Sequence, residues 1–328
     1  MPTTLLAVNN LKKHYPIKKS NTFFTYESLR AVDGITFELY EGETLGIVGE
    51  SGCGKSTTRR LLLNVEPPTE GTVLYRGKNV VTMNRTDLRR YRRDVQMIYQ
   101  DPYSSLDPKW RVGNLIAEPL AIHRVGTRAE RRKRALELMN LVGLREHQIS
   151  KFVHEFSGGQ RQRIGIARAL ALNPGIIVAD EPVSALDVSI QAQVINLLLD
   201  LKERLQLTYV FISHDLSVIR YISDRVIVMY LGKIVEVARN EDFFREPLHP
   251  YSKALLKAVP IPDPGVTLEL QEIEGEVPSP IDPPRGCAFH PRCPFAMDIC
   301  RQREPEVVST DSGRKVKCHL YGEGGDVR

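Results

Sequence analysis

Residues 49–56 read Gly49-Glu50-Ser51-Gly52-Cys53-Gly54-Lys55-Ser56 and follow the pattern G-x-x-x-x-G-K-[ST]. Glycines at this spacing let a backbone wrap a polyphosphate, so that successive N–H groups and the tip of the next helix face anionic oxygens. Lys55 is placed to add a point charge on the β- and γ-phosphates, and the Ser56 hydroxyl to ligate Mg²⁺. A second cluster, Ile176-Ile177-Val178-Ala179-Asp180-Glu181, is an apolar run ending in two carboxylates. Ligands of parallel sheets gather at the carboxyl ends of strands, so both acids are predicted to face the phosphate loop. Asp180 then suits Mg²⁺, through water, and Glu181 suits a general base or an orienting group for an attacking water. A third anion-binding helix start is written in Phe156-Ser157-Gly158-Gly159-Gln160, ahead of Ile164, Ala167, Ala169 and Leu170.

The elements that must hold these residues are legible around them. Thr44–Val48, Gly175–Ala179, Tyr209–Ser213 and Val226–Tyr230 are short apolar runs, each ending at polar residues. Such runs alternating with helical stretches predict an α/β fold, with a parallel sheet covered on both faces. A helix is predicted over Thr57–Leu63 and another over Arg128–Leu144. For the latter, Thr127 and Glu130 form a capping-box pair, Ala135, Leu138, Met139 and Val142 give the apolar stripe, and Gly143 suits the stop.

Composition sets outer bounds. The 328 residues, 42% apolar and 26% charged, suffice for one large or two modest domains and exclude a disordered chain. No run of 18 apolar residues occurs, and the start (Met1-Pro2-Thr3-Thr4-Leu5-Leu6) predicts no secretory signal. A net charge of +5 is small for this size, and the basic groups Arg89–Arg93 and Arg128–Arg134 read as solvated helix faces. No partner nucleic acid is expected. Twelve of the 21 prolines lie between Pro247 and Pro305, and four of the five cysteines lie beyond residue 260. This predicts a first domain over 1–260 and a short extension over 261–328, joined by a proline-stiffened connection.

The FSGGQ segment resembles the LSGGQ signature of ABC-type ATPases, with Phe156 in place of the usual leucine. Other parts of that family's site have counterparts. Gln100, in Ile98-Tyr99-Gln100-Asp101, matches the Q-loop, and Ser184-Ala185-Leu186-Asp187 matches the D-loop. His214, in Ile212-Ser213-His214-Asp215, matches the switch histidine. Tyr15 is the candidate aromatic for stacking on adenine, with Phe23, Phe24 and Tyr26 as rivals. The resemblance implies a mostly parallel sheet core, an antiparallel β subdomain and a helical subdomain over about 88–170. It also implies that Gly49, Ser51, Gly52, Cys53, Gly54, Lys55, Ser56, Thr57 and Gln100 hold nucleotide, and that Ser56, Gln100 and Asp180 hold Mg²⁺. Two such domains are expected to pack head to tail, so that Ser157 and Gly159 touch the γ-phosphate bound by the partner's lysine.

A narrower resemblance covers nearly the whole chain. Leu11–Pro16, Gly49–Thr57, Gln100–Pro108, Phe156–Leu170 and Leu248-His249-Pro250-Tyr251 are similar to the F-type ATP-binding subunits of bacterial dipeptide and oligopeptide permeases. That family implies a peripheral protein at the cytoplasmic face of the membrane. It also implies a D-type ATPase partner, two transmembrane subunits and an extracellular or periplasmic peptide-binding protein. Related ATPases serve nickel, glutathione and oligosaccharide systems, so cargo stays open. A soluble, non-transport ABC ATPase is the other class, and the single phosphate loop and absence of a heptad run speak against it. Tyr103–Pro108 is a candidate contact for a membrane subunit.

The extension spaces its cysteines as Cys287-x5-Cys293-x6-Cys300-x17-Cys318. Four thiolates can hold zinc or a 4Fe–4S cluster, and the lack of any C-x-x-C pair disfavours a zinc ribbon. Unligated thiols and a redox disulfide also fit the spacing. Resemblance to cluster-binding peptide-permease ATPases implies 4Fe–4S, in a structural role, because a tail of this size buries little core.

Overall fold

The pentapeptide Thr44–Val48 is buried at every position, as are Ile176–Asp180 and Thr208–Ile212. Strands with no exposed face can exist only in the interior of a layered sheet, which is why their sequences do not alternate. The computed structural model describes residues 3–18, 26–258, 275–310 and 313–322, apart from the Ser104 side chain. Met1, Pro2, Phe23, Phe24 and the expected boundary at 260/261 therefore lie outside the described residues. The chain falls into two compact units, one of residues 1–3, 40–44 and 82–212, the other of 4–39, 45–81 and 213–328.

The unit carrying the phosphate loop has two sheet regions. One is a four-stranded sheet with strands in the order Tyr26–Tyr40, Thr4–Lys18, Glu70–Tyr75, Lys78–Asn79. Its antiparallel pairing sets Leu6 against Tyr75 and Val8 against Val73, with Leu6, Val8 and Val73 in the core. In the other region Thr44–Val48 runs parallel to Arg225–Tyr230, with Ile47 opposite Ile227. Arg225–Tyr230 pairs antiparallel with Lys233–Arg239, which pairs with Lys315–Val316 and thence with Val308–Ser309. The extension thus supplies the last two strands here, which no run in its sequence announces.

In the other unit Val95–Ile98, Ile176–Asp180 and Thr208–Ile212 form parallel neighbours, Val95 opposite Ile176 and Ile176 opposite Thr208. Helices Arg85–Asp94, Val112–Ile122, Arg128–Leu141, Gly158–Ala169 and Val188–Leu205 accompany them. Leu115, Ile116, Leu138, Met139, Ile164 and Ala167 meet in the helical core. The Arg128–Leu141 helix starts as its sequence predicts. Thr127 N donates to Glu130 Oε2 at 2.6 Å and Glu130 N to Thr127 Oγ1 at 3.3 Å. It stops short of Gly143, whose φ of 75° turns the chain away. No helix among the described residues is long and apolar enough to cross a membrane.

Candidate functional site

Close approach dictates the phosphate loop. A Cβ on Gly49 would lie 2.2 Å from Met229 O, and one on Gly54 would lie 2.3 Å from Ala31 O, with φ values of 151° and 106°. Glycine alone satisfies both demands. Gly54 caps the helix Lys55–Leu62 in a left-handed conformation, leaving that helix's first N–H groups without a side-chain cap. This is an open anion-binding start. Lys55 is largely buried, and its Nζ donates to Gly49 O at 2.5 Å and to Glu50 O at 2.9 Å. It is held over the loop by carbonyls that phosphate oxygens can replace. Ser56 is exposed, Thr57 is buried, and Ser51 and Gly52 stand at the exposed tip. Cys53 is buried, and burial raises its thiol pKa.

Tyr15 sits half-buried on the same unit. Its hydroxyl donates to Glu66 Oε2 at 2.5 Å, and Lys13 Nζ lies 5.1 Å from its ring centroid. The rival Tyr26 is 60% exposed. His214 follows the strand Thr208–Ile212 and is exposed. The backbone on either side is tied down: Asp215 N donates to Ser213 Oγ at 3.0 Å, and Asp215 Oδ1 accepts from Ser217 N at 2.8 Å, capping the next helix.

The other unit gathers three of the predicted residues. Gln100 Nε2 donates to Glu181 Oε2 at 3.0 Å and reaches Ser184 Oγ at 3.4 Å. Ser184 Oγ in turn donates to Glu181 O at 3.1 Å. Asp180 is buried at the strand end. Glu181 takes φ 44°, a left-handed conformation rare for its type, held by its N–H donating to Ile212 O at 2.8 Å. Ala185 and Asp187 are exposed, and Asp187 opens the helix Val188–Leu205.

Ser157 caps Gly158–Ala169 in a capping box, with Ser157 N donating to Gln160 Oε1 at 3.1 Å and Gln160 N to Ser157 Oγ at 3.4 Å. A Cβ on Gly159 would meet Ile190 Cγ2 at 2.4 Å, and one on Gly158 would touch Leu186. Phe156 is buried, as a leucine there would be. Sequence reading missed two neighbours that tie this helix to the Gln100 segment. Arg161 stacks 4.0 Å over the Tyr103 ring, and Gln162 Nε2 donates to Tyr99 O at 3.3 Å.

In the extension Cys287, Cys293, Cys300 and Cys318 line one small cavity with His290 and His319. All four are free thiols. Burial raises the pKa of Cys287, Cys293 and Cys318, the last to about 12, and the neighbouring thiols push in the same direction. Raised in this way, Cys287, Cys293 and Cys318 stay protonated, and a bound cation would be needed to hold them as thiolates. Among the described residues no three His, Cys, Asp or Glu side chains could hold one metal ion. The cavity of about 10 Å³ admits little more than one water-sized sphere.

With this geometry in place, comparison identifies the lineage. The ABC transporter family matches residues 32–184, and the C-terminal region of oligopeptide and dipeptide transporters matches residues 235–300. The putative oligopeptide transport ATP-binding protein YkfD of Bacillus subtilis is 51% identical over 97% of this chain and 95% of its own length. The chain belongs to the ATP-binding proteins of the ABC transporter family, peptide-transporter branch. AppF of the same organism, an oligopeptide transport ATP-binding protein, is 50% identical over 97% of this chain and 98% of that protein. Among solved structures, the dimeric ATP-binding cassette MJ0796 bound to ADP and Pi matches at TM-score 0.63 and 32% identity, covering 72% of this chain and 99% of that one. A Clostridium perfringens cbiO1 structure, part of the cbiONQ complex, matches at TM-score 0.63 and 26% identity, covering 74% and 92%.

Proposed function

We propose that this ABC ATPase couples ATP hydrolysis to uptake of di- and oligopeptides, as the nucleotide-binding subunit of an importer. The observation that carries the reading is the joint match of the ATPase region and the peptide-transporter C-terminal region on one chain, with relatives similar end to end. ABC ATPases work as dimers on membrane permeases. The D-type ATPase, the peptide-binding protein, attachment at the cytoplasmic face and a division at 260/261 are the finer parts of the proposal.

The proposed chemistry follows from the two residue sets. Loop N–H groups and Lys55 bind the triphosphate, and Lys55 exchanges two carbonyls for phosphate oxygens. Ser56, Asp180 and Gln100 are the residues that would hold Mg²⁺ through hard oxygen donors, and a bound ion would supply charge neutralisation at the phosphates. Glu181 accepts a hydrogen bond, then the proton, from the attacking water. The water oxygen bonds to the γ-phosphorus while the bond to the β–γ bridging oxygen breaks, and ADP leaves. His214 contacts the γ-phosphate and helps place that water. Gln100 Nε2 takes one of the two Glu181 carboxylate oxygens, so the Gln100 segment stands where it can influence the water that Glu181 orients. That segment touches the signature helix through Tyr99 and Tyr103. The signature residues 156–160 receive the γ-phosphate held by a second ATPase. Tyr15 stacks on the adenine.

Glu181→Gln should bind MgATP with near wild-type affinity, lose turnover by roughly 10²–10⁴-fold, and accumulate as a dimer. Undiminished turnover by that variant, measured in the assembled transporter, removes Glu181 as the base. For the extension, the four cysteines are proposed to hold a 4Fe–4S cluster in a structural role. Anaerobically purified protein should carry iron and a broad visible absorbance; iron-free protein with unchanged thermal stability rules the cluster out.

A further inference from the structure

The phosphate loop is gripped from behind by the C-terminal extension. Arg292 Nη1 donates to Glu50 Oε2 at 2.8 Å and Nη2 to Glu50 Oε1 at 3.1 Å, a two-pronged ion pair across 242 positions of sequence. The Arg292 side chain is only 6% exposed, whereas that of Glu50 is 25% exposed. Glu50 is held at two further atoms: its N–H donates to Tyr251 Oη at 2.8 Å, and its carbonyl accepts from Lys55 Nζ. Tyr251 packs against Tyr230 and Phe289, whose ring centroids lie 4.7 and 5.4 Å away. The clamp therefore rests on a rigid aromatic base, and Phe289 and Arg292 come from the cysteine-bearing segment.

A carboxylate at the second position of a phosphate-binding loop poses an electrostatic problem. Unpaired, it repels the incoming phosphates and competes with them for the loop lysine. Its own backbone already lies within reach of Lys55 Nζ. A guanidinium that occupies both carboxylate oxygens removes both effects while leaving the loop's N–H groups free.

We propose that Arg292 is a positioning residue for nucleotide binding, pairing with Glu50 so that this carboxylate neither captures Lys55 nor repels the triphosphate. The extension thereby sets the affinity of a loop more than two hundred residues upstream. The inference rests on residues 49–57 being the nucleotide loop, which Lys55→Ala tests separately: retained ATP binding by that variant defeats the loop assignment whatever Arg292 does.

The full chain serves for the test, with Kd for ATP read from a fluorescent ATP analogue and its competition by ATP. Arg292→Met should raise Kd roughly tenfold or more, because a half-buried carboxylate loses its partner. Arg292→Lys, which keeps the charge but not the fork, should fall between wild type and Arg292→Met. The deciding variant combines Arg292→Met with Glu50→Gln. Removing the orphaned charge should restore Kd to within about threefold of wild type, which mere anchoring of the extension does not predict. An unchanged Kd in Arg292→Met, or a weakened Kd that Glu50→Gln fails to recover, overturns the proposal. If Arg292→Met does not fold, Arg292→Gln, with and without Glu50→Gln, decides instead. Weakened binding in Arg292→Gln alone that Glu50→Gln restores to within about threefold of wild type supports the clamp, and unchanged or unrestored binding overturns it. Iron content and melting temperature, measured on every variant, separate loss of the extension from loss of the clamp.

Discussion

Single atoms decide much at the loop. Met229 O stands where a Gly49 side chain would begin, 2.2 Å away, so Gly49→Ala cannot be absorbed by rotating a side chain. That substitution should destabilise the protein by roughly 2 kcal/mol or more and abolish nucleotide binding, checked by denaturant titration and ATP-analogue fluorescence. Cys53 lies in the same loop, where its place in the sequence predicts a small tolerated residue that ATP shields from thiol reagents. Its burial and raised pKa make it a poor nucleophile instead. Thiol reagents should label it slowly whether or not ATP is present, and rapid labelling of the empty loop would contradict the packing seen here. The positive φ of Glu181 is the other residue-scale feature that a sequence pattern does not reveal.

At the scale of elements, the junction of Lys233–Arg239 with Pro250–Lys257 is a buried electrostatic knot. Glu236 is fully buried, accepts from Leu248 N and His249 N at 2.8 and 2.9 Å, and pairs with Arg314 at 3.3 Å. Arg314→Met leaves that carboxylate without its cation and should cost about 3–5 kcal/mol of unfolding free energy, visible as a lower denaturant midpoint. His249 caps the Pro250–Lys257 helix through Nδ1, which accepts from Tyr251 N at 3.0 Å. Burial drops its pKa to about 3 from an ordinary 6.5. Between those values the unfolded chain binds the extra proton, so stability is complete above pH 6.5 and falls as the pH is lowered toward 3. The slope approaches about 1.4 kcal/mol per pH unit. His249→Asn keeps an acceptor for Tyr251 N and removes the titration. Its melting temperature should vary less between pH 7 and 5 than that of the wild type.

For the whole molecule, nucleotide is the expected stabiliser. A ligand at about 100 times its Kd adds about 2.7 kcal/mol to the folded state, so MgATP should raise the melting temperature of the wild type and not of Lys55→Ala. Glu181→Gln with MgATP should sediment as a dimer, and a strictly monomeric species would contradict shared nucleotide sites.

Local chemistry was written in the sequence wherever a pattern has one physical solution. The loop glycines, the strand-end acids Asp180 and Glu181, the Thr127–Glu130 capping box, and the buried pentapeptides all depend on residues a few positions apart. The strands at Ile176 and Thr208 begin within one residue of their sequence-based limits. Long-range pairings were not legible. Arg292 against Glu50, Arg161 over Tyr103, Arg314 on Glu236 and the pairing of Lys315–Val316 with Glu236 and Val237 join residues that no spacing relates. The sequence by itself determined what each segment can bind, because hydrogen-bonding capacity and charge are properties of residue types. Tertiary structure alone decided which charges are neutralised and which thiols share a cavity, because burial and Coulomb interaction depend on distance in space.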